Sequence, residues 1–310
     1  MLKARAQANP DIRFIVAAPT LLQPLFDGVA NVQFVAVNKR QSPMELYRQL
    51  SAYHPDMVAD MHHVNRILWS DLMFRLHGIP VHSIHKERCR RRRMMRRHNK
   101  SRAPLTPSWK RYDNVFDACG LHKSDIQQQS STYWPLPVAP RPTTTVGIAP
   151  TAQHPGKIWP LEHTEQLIRL LSQRQDIHIQ LFGGKSDKEQ LERWAAKYPH
   201  TQSLAGTMCF ADELKAIADL DLMVSMDSSN MHFASAVQTP VLSIWGATHP
   251  DAGFYGWRQN PQWAVQSALP CRPCSTFGNK PCRQNGYPCL RTITPEQVFA
   301  KILELTTSRI

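Results

Sequence analysis

The sequence predicts an α/β protein in two halves, each built on a parallel sheet covered by helices. Three observations carry this prediction. Short apolar runs alternate with segments of helical period along both halves. A proline-rich stretch, Trp134 to Pro142, separates the halves, with four prolines in nine residues, a composition that suits a stiff linker or a long surface loop. In the second half, Ser225 to Ala236 reads as a strand end, a polar turn and a helix start, and Thr239 to Gly246 follows as another buried strand.

The elements follow in order. Ile12 to Pro19 is an apolar run closed by proline, and Val32 to Val37 is a second strand. Met44 to Ala52 has helical spacing. Met57 to Met61 is a short strand, Arg66 to His77 a helix closed by Gly78, and Ile79 to Ile84 a further strand. After the proline-rich stretch, Thr145 to Pro150 is a strand, Trp159 to Gln173 a helix with Pro160 near its start, and Ile177 to Phe182 a strand ending in Gly183-Gly184. Asp187 to Tyr198 and Ala211 to Ala218 are helices, Leu220 to Ser225 leads into the polar turn, and Pro295 to Thr306 is a final amphipathic helix capped by Thr294. The predicted domains are residues 1–134, a linker at 135–142 and residues 143–310. Such halves place a ligand cleft at the carboxyl ends of their strands.

The chain has 310 residues, 42% of them hydrophobic, enough for a real core and against global disorder. No window offers the roughly 20 uninterrupted apolar residues of a membrane span. The first ten residues hold no apolar signal region, so a cytoplasmic protein is expected. Seven cysteines, an odd number, argue against a disulfide framework in that compartment.

Three strand-to-loop junctions of the second half carry the candidate chemistry. Asp227 to His232 gathers a carboxylate, two hydroxyls, an amide and an imidazole in six residues. Helix N-termini hold anions there, because backbone N–H groups point outward and the dipole favours negative charge; the same residues also suit an ordinary helix cap. Lys157 sits in the loop from Pro150 to Pro160, where a lysine can neutralise a diphosphate as a compact point charge. At Gly183-Gly184 the missing side chains let a ligand approach the backbone.

The order of these motifs resembles glycosyltransferase family 9, the heptosyltransferases of lipopolysaccharide core synthesis. The family pattern is a lysine with Trp-Pro after a strand, Phe-Gly-Gly, a leucine-rich stretch, Asp-Ser/Thr-Gly-x-x-His and a Phe-Gly-x-Thr-x-Pro turn. Here these are Lys157 with Trp159-Pro160, Phe182-Gly183-Gly184, Leu214 to Ala218, Asp227-Ser228-Ser229 with His232, and Trp245-Gly246-Ala247-Thr248-His249-Pro250. Ser229 and Trp245 stand where the family has Gly and Phe. The match is close over residues 145–250 and fainter through Pro10 to Leu121, where Asp60-Met61-His62 resembles the family's Asp-Leu-His.

The resemblance implies the GT-B architecture, two Rossmann-like doubly wound domains facing a cleft. It implies an inverting, metal-independent transfer of heptose or a similar sugar from an ADP-sugar, with no cofactor required. Lys157 would stabilise the donor diphosphate, and Pro150, Thr151, Gly183, Gly184, Asp227, Ser228, Ser229, Met231 and His232 would line the donor pocket. Family members open with a strand and a Gly-Asp loop that carries the proposed base. Residues Met1 to Pro10 look like the end of the family's first helix instead, so the base is expected to be missing from this chain, through a misplaced start or a shortened protein. A donor-binding remnant without transferase activity is the alternative reading.

Two further segments stand outside these motifs. His85 to Arg102 holds ten Lys or Arg against one Glu, and the whole chain carries a net charge of +13. Such a block attracts phosphate, or is simply a solvated loop. With the resemblance, Arg90, Arg91, Arg92, Arg93, Arg96, Arg97 and Lys100 would lie in the acceptor domain. They would meet an anionic glycolipid at the inner face of the inner membrane. A basic nucleic-acid-binding protein is the rival class, but no aromatics interleave the charges and no reading module is present, so nucleic acid is not the expected partner. Cys271, Cys274, Cys282 and Cys289 give C-x2-C-x7-C-x6-C within 19 residues. This spacing suggests a structural zinc site, with reduced cysteines or disulfides formed on isolation as the alternatives.

Overall fold

The computed structural model describes residues 1–38, 40–101, 103–123 and 142–307. The expected linker at 135–142 therefore lies, up to residue 141, outside the described residues. Two compact units form: Met1–Lys86 with Ser108–Ser131, and Glu87–Pro107 with Thr132–Ile310.

The first unit runs α1 (Leu2–Gln7), β1 (Phe14–Ala18), β2 (Val32–Ala36), α2 (Pro43–Ser51), β3 (Val58–Asp60), α3 (Asn65–Leu76) and β4 (Val81–Ser83), with α5 (Ser108–Ala118) joining later in the chain. Between them in sequence lies α4 (Arg88–Met94), which belongs to the second unit. Helix α2 starts where the sequence calls for it. Ser42 accepts from the Glu45 N–H and the Glu45 carboxylate accepts from the Ser42 N–H, a closed capping box with Pro43 in the first turn. The strands are parallel, as expected, but they form two separate ladders, β1 with β2 and β3 with β4. Among the described residues no ladder joins them. Their residues are mostly half-buried, unlike the buried central strands of the second unit. Arg5 anchors α1. Its buried guanidinium meets Asp113 at 2.5 Å and Asp117 at 2.6 Å on α5.

The second unit contains α4, β5 (Thr144–Ala149), α6 (Leu161–Ser172), β6 (Ile177–Leu181), α7 (Lys188–Lys197), β7 (Thr201–Ser203), α8 (Phe210–Ala218), β8 (Leu222–Met226), α9 (Ser229–Ala236), β9 (Val241–Trp245), β10 (Ala264–Gln266), α10 (Pro288–Arg291) and α11 (Pro295–Thr307). Its sheet is six-stranded and parallel in the order β10-β9-β8-β5-β6-β7. The chain builds outward from β5 through β6 to β7, then crosses back to β8 and builds the other way. That is the doubly wound order with its switch point between β5 and β8.

The strands read as continuous apolar runs because both faces are covered. Val146, Ile148, Val224, Met226 and Ile244 enter one core with Leu167, Leu171 and Val298 from α6 and α11. Ala149, Met223, Val241 and Trp245 enter the opposite core with Ile217 and Met231 from α8 and α9. Gly147 is fixed by this packing, since a Cβ there would sit 2.4 Å from Leu220 Cδ1. Trp159, fully buried, donates its indole N–H to Ile293 O at 3.0 Å, and α6 begins only after Pro160. Helix α11 opens with the predicted cap, Thr294 Oγ1 accepting from the Gln297 N–H at 3.2 Å.

The basic segment departs from the sequence reading. The sequence predicts a loop of the first domain, whereas part of the segment forms α4 and the whole of Glu87–Pro107 groups with the second unit. Met94 and Leu105 are buried against Ala252, and the Leu105 N–H donates to Asp251 O at 2.8 Å. These two apolar side chains, hidden in a run of arginines, fix where the segment packs.

Candidate functional site

The sequence-predicted junctions converge at the carboxyl ends of β5, β6, β8 and β9. Asp227 leaves β8 directly. It is 3% exposed, and its Oδ2 meets Lys157 Nζ at 2.9 Å. Lys157 comes from the loop after β5, so the ion pair spans the switch point of the sheet. The lysine side chain keeps 16% of its surface in water and the aspartate 4%. Three ammonium protons leave donors for a second anion while Asp227 fixes the direction of the chain.

The lysine loop is held by backbone contacts that need small residues. Gly156 N donates to Gly278 O at 3.0 Å, and Ala247 N donates to Gly156 O at 2.8 Å. A Cβ on Gly156 would lie 2.7 Å from Gly278 O, and one on Gly278, whose φ is +74°, 2.7 Å from Lys157 Cγ. Gly278 is thus the floor under the lysine stem.

Beside the pair, Ser228 is the N-cap of α9, but its hydroxyl caps nothing; it faces Ser225 Oγ at 3.2 Å. The first-turn N–H groups of α9 therefore have no side-chain cap and remain available to an anion. Ser229 and His232 are exposed on that turn. Although His232 keeps part of its surface in water, the protein crowded around its imidazole displaces hydration and holds the pKa below the ordinary value; Asp227 opposes this and Lys157 adds to it, so the ring is neutral at pH 7. Met231 differs from expectation. Its side chain is completely buried in the core under α9, because it faces the sheet, and only its backbone can reach a ligand. Pro150 is also buried, while Thr151 is half-buried.

At the β6 end Asp187 joins the group, a residue that reads in the sequence only as a helix start. Its Oδ2 accepts from Gly184 N at 2.8 Å and from Thr151 Oγ1 at 3.1 Å, tying the two junctions together. Gly183 packs so tightly that a Cβ would meet Leu191 at 2.8 Å and Asp187 at 2.9 Å. An acid three residues after Gly-Gly is the signal that could have found it.

The cysteine segment packs on the turn after β9. The N–H groups of Cys274 and Ser275 both donate to Ala247 O. Arg272, 2% exposed, donates to the carbonyls of Gly246 at 2.5 Å, Thr248 at 3.0 Å and Ser267. Cys271, Cys274, Cys282 and Cys289 are free thiols. Burial raises Cys274 and lifts Cys289 to about 11, the neighbouring Arg272 opposing, so both are neutral at pH 7. The four thiols lie near enough to raise one another's pKa, while the group of three or more metal-ligating side chains within 4.8 Å of one another among the described residues is Asp60, His63 and Asp71.

Of the basic residues, Arg92, Arg93, Arg96 and Arg97 are exposed. Arg90 is exposed but engaged, pairing with Glu87 and donating to Pro104 O at 2.9 Å. Arg91 is half-buried. Lys100 corrects the sequence reading: its ammonium donates to Cys271 O at 2.6 Å and Pro273 O at 2.7 Å, pinning the cysteine segment rather than offering charge to an acceptor.

In the first unit, Asp60 ends β3. Its Oδ1 accepts the N–H groups of His62 at 2.8 Å and His63 at 2.7 Å, and its Oδ2 lies 3.2 Å from His63 Nδ1. Asp71, on α3, is 4% exposed beside it. Burial first, then the Asp60 charge and a hydrogen bond with Asp60, raise the Asp71 carboxyl to about 7. Neither His63 nor Asp71 belongs to a motif that the sequence offers. The visible signal is an acid inside Ile67-Leu68-Trp69-Ser70-Asp71-Leu72-Met73-Phe74, a stretch that is apolar apart from Ser70 and Asp71.

Comparison with known proteins places the chain in a family. The family model of glycosyltransferase family 9 (heptosyltransferase) matches residues 44–283. The lipooligosaccharide heptosyltransferase 2 of Haemophilus influenzae is 31% identical over 111 residues, 34% of this chain and 32% of that protein. The chain thus aligns with about a third of the length of the curated relatives it matches. Among solved structures, the family 9 glycosyltransferase of Veillonella parvula superposes with a TM-score of 0.69 at 17% identity, over 99% of this chain and 92% of that one. The heptosyltransferase WaaC of E. coli with ADP gives 0.66 at 19%, over 98% and 94%. These likenesses extend the shared α/β fold to nearly the whole chain, and the family match covers well over half of it. The chain belongs to glycosyltransferase family 9, the heptosyltransferase family.

Proposed function

We propose that the second unit binds the ADP part of an ADP-sugar and that the protein transfers heptose, or a similar sugar, to a lipopolysaccharide core or related anionic glycan. The observation that carries this is the Lys157–Asp227 pair at the switch point, beside the uncapped start of α9. Breaking the bond between the anomeric carbon and the diphosphate oxygen leaves its electron pair on that oxygen. The growing charge needs donors already in place. Lys157 and the α9 N–H groups supply them, and the reaction then needs no metal. The Asp227 carboxylate keeps the ammonium aimed, and Thr151, Ser228, Ser229 and the neutral His232 ring supply hydrogen bonds to sugar or phosphate. An acceptor hydroxyl oxygen forms the new bond to the anomeric carbon on the face opposite the leaving ADP, which inverts the centre, and its proton passes to water. The exposed Arg92, Arg93, Arg96 and Arg97 form the surface for an anionic acceptor, with Lys100 excluded from that role.

The test is incubation of the full chain with ADP-heptose and a lipopolysaccharide-core acceptor in the presence of EDTA. Acceptor-dependent release of ADP with an inverted product supports the reading. Donor binding without turnover on any core acceptor identifies a donor-binding protein instead. No interaction with the ADP-sugar overturns the proposal.

A further inference from the structure

Asp60, His63 and Asp71 are not explained by donor binding, and their chemistry is unusual for a structural core. Two carboxylates lie together with almost no access to water, at 5% and 4% exposure. Charged carboxylates are not left facing each other in such a place without something positive between them. The neighbouring backbone satisfies only part of the set. Asp60 Oδ1 is occupied by two N–H groups and its Oδ2 faces the His63 ring, while Asp71, hydrogen-bonded to Asp60, still has its Oδ2 buried without any partner.

We propose that Asp60, His63 and Asp71 bind a first-row divalent cation of the Mn²⁺ class. One ligand atom from each lies within 4.8 Å of the others. Metal–ligand bonds of about 2.0–2.2 Å put adjacent ligands roughly 3 Å and opposite ligands roughly 4.3 Å apart, so closing the site takes small side-chain movements. Two hard oxygens and one borderline nitrogen suit Mn²⁺, Fe²⁺ or Zn²⁺. Ca²⁺ would demand six to eight oxygens that are not present here. Two ligands come from packed elements, the end of β3 and the middle of α3. The third, His63, has a side chain 35% exposed, which gives the ion a path in and water to complete its shell. His63 sits in left-handed backbone at φ 39°, and the Asp60 Oδ1 bonds to the loop hold it there.

The experiment is titration of Mn²⁺ into the full chain, first stripped with a chelator and then dialysed, with unbound Mn²⁺ read by electron paramagnetic resonance. Mn²⁺ is the probe because the cysteine thiols favour softer ions. About one Mn²⁺ per chain is expected. Asp71→Asn keeps the shape and an amide that can hydrogen-bond to Asp60, and its thermal unfolding without metal reports that the fold survives. It should weaken binding by about 100-fold, and His63→Ala by about tenfold. Failure of the wild-type chain to bind at millimolar Mn²⁺ would overturn the proposal; the carboxylates would then be sharing a proton. Stoichiometric binding that persists unchanged in Asp71→Asn would overturn it equally, because the ion would lie elsewhere.

Discussion

Two aspartates end parallel strands in this chain, and their neighbours give them opposite characters. Asp227, after β8, meets the ammonium of Lys157 at 2.9 Å. Asp60, the last residue of β3, meets the carboxyl of Asp71, which it helps raise to about 7. Both are almost fully buried, so burial does not distinguish them. The difference teaches that the strand end supplies the position and the partner decides the ligand. The first pair is neutral overall and keeps a partly exposed cation at the strand ends, where the proposed donor diphosphate would lie. The second pair lacks one positive charge and takes a proton or a metal ion.

The largest expected effect comes from removing the cation of the first pair. Lys157→Ala should lower turnover by roughly 10²–10³, the range for losing a preplaced donor to developing negative charge. An assay of ADP release checks it, and near-normal turnover would break the parallel between pair and function.

The second pair is expected to respond in the opposite sense. Its raised carboxyl, about 7 folded against an ordinary 3.8, means that the folded chain binds more protons than the unfolded one between those values. Stability from this group is therefore present at low pH and lost as pH rises through 7. Asp60, His63 and Arg75 are the charged or titratable neighbours, of which Arg75 opposes the rise. In chelator at pH 8, Asp71→Asn should raise stability by up to a few kcal/mol, because a tenfold change in a proton affinity is worth about 1.4 kcal/mol. Urea unfolding at pH 5 and pH 8 checks the sign, and a stabilisation equal at both values would contradict it.

Much of the second unit can be read from the chain. Its strands are continuous apolar runs, its last helix opens on the Thr294 cap, and its polar turns fall at strand ends, all of which are local signals. What cannot be read depends on distant partners. Lys100 looks like one more cation of a basic run until its partners, 171 and 173 residues away, are known. Met231 sits within a polar motif, yet its position on α9 turns it into the core. The α4 helix has no apolar period to announce it, and its packing with the second unit rests on single residues, Met94 and Leu105. The first half's strands are legible as strands, but pairing is a property of neighbours, and two ladders form where the pattern predicts one sheet.

Smaller tests sharpen the account of how the Lys157 side is supported. Lys100→Met removes two charge-assisted bonds to carbonyls and should cost about 1–2 kcal/mol in unfolding experiments. It should also speed amide exchange over residues 271–278. Thiol alkylation read by mass spectrometry should modify the exposed Cys89 and Cys209 first. Cys289, buried and raised to about 11, should react last at pH 8, because the thiolate is the reactive form.

The most direct test of the central claim is a calorimetric titration of the full chain with ADP, with UDP and GDP as controls. Selective ADP binding that weakens at least about tenfold, or about 1.4 kcal/mol, in Lys157→Ala is the predicted result. Absence of nucleotide binding, or ADP binding that Lys157→Ala leaves unchanged, would contradict the assignment of the Lys157–Asp227 pair to the donor site.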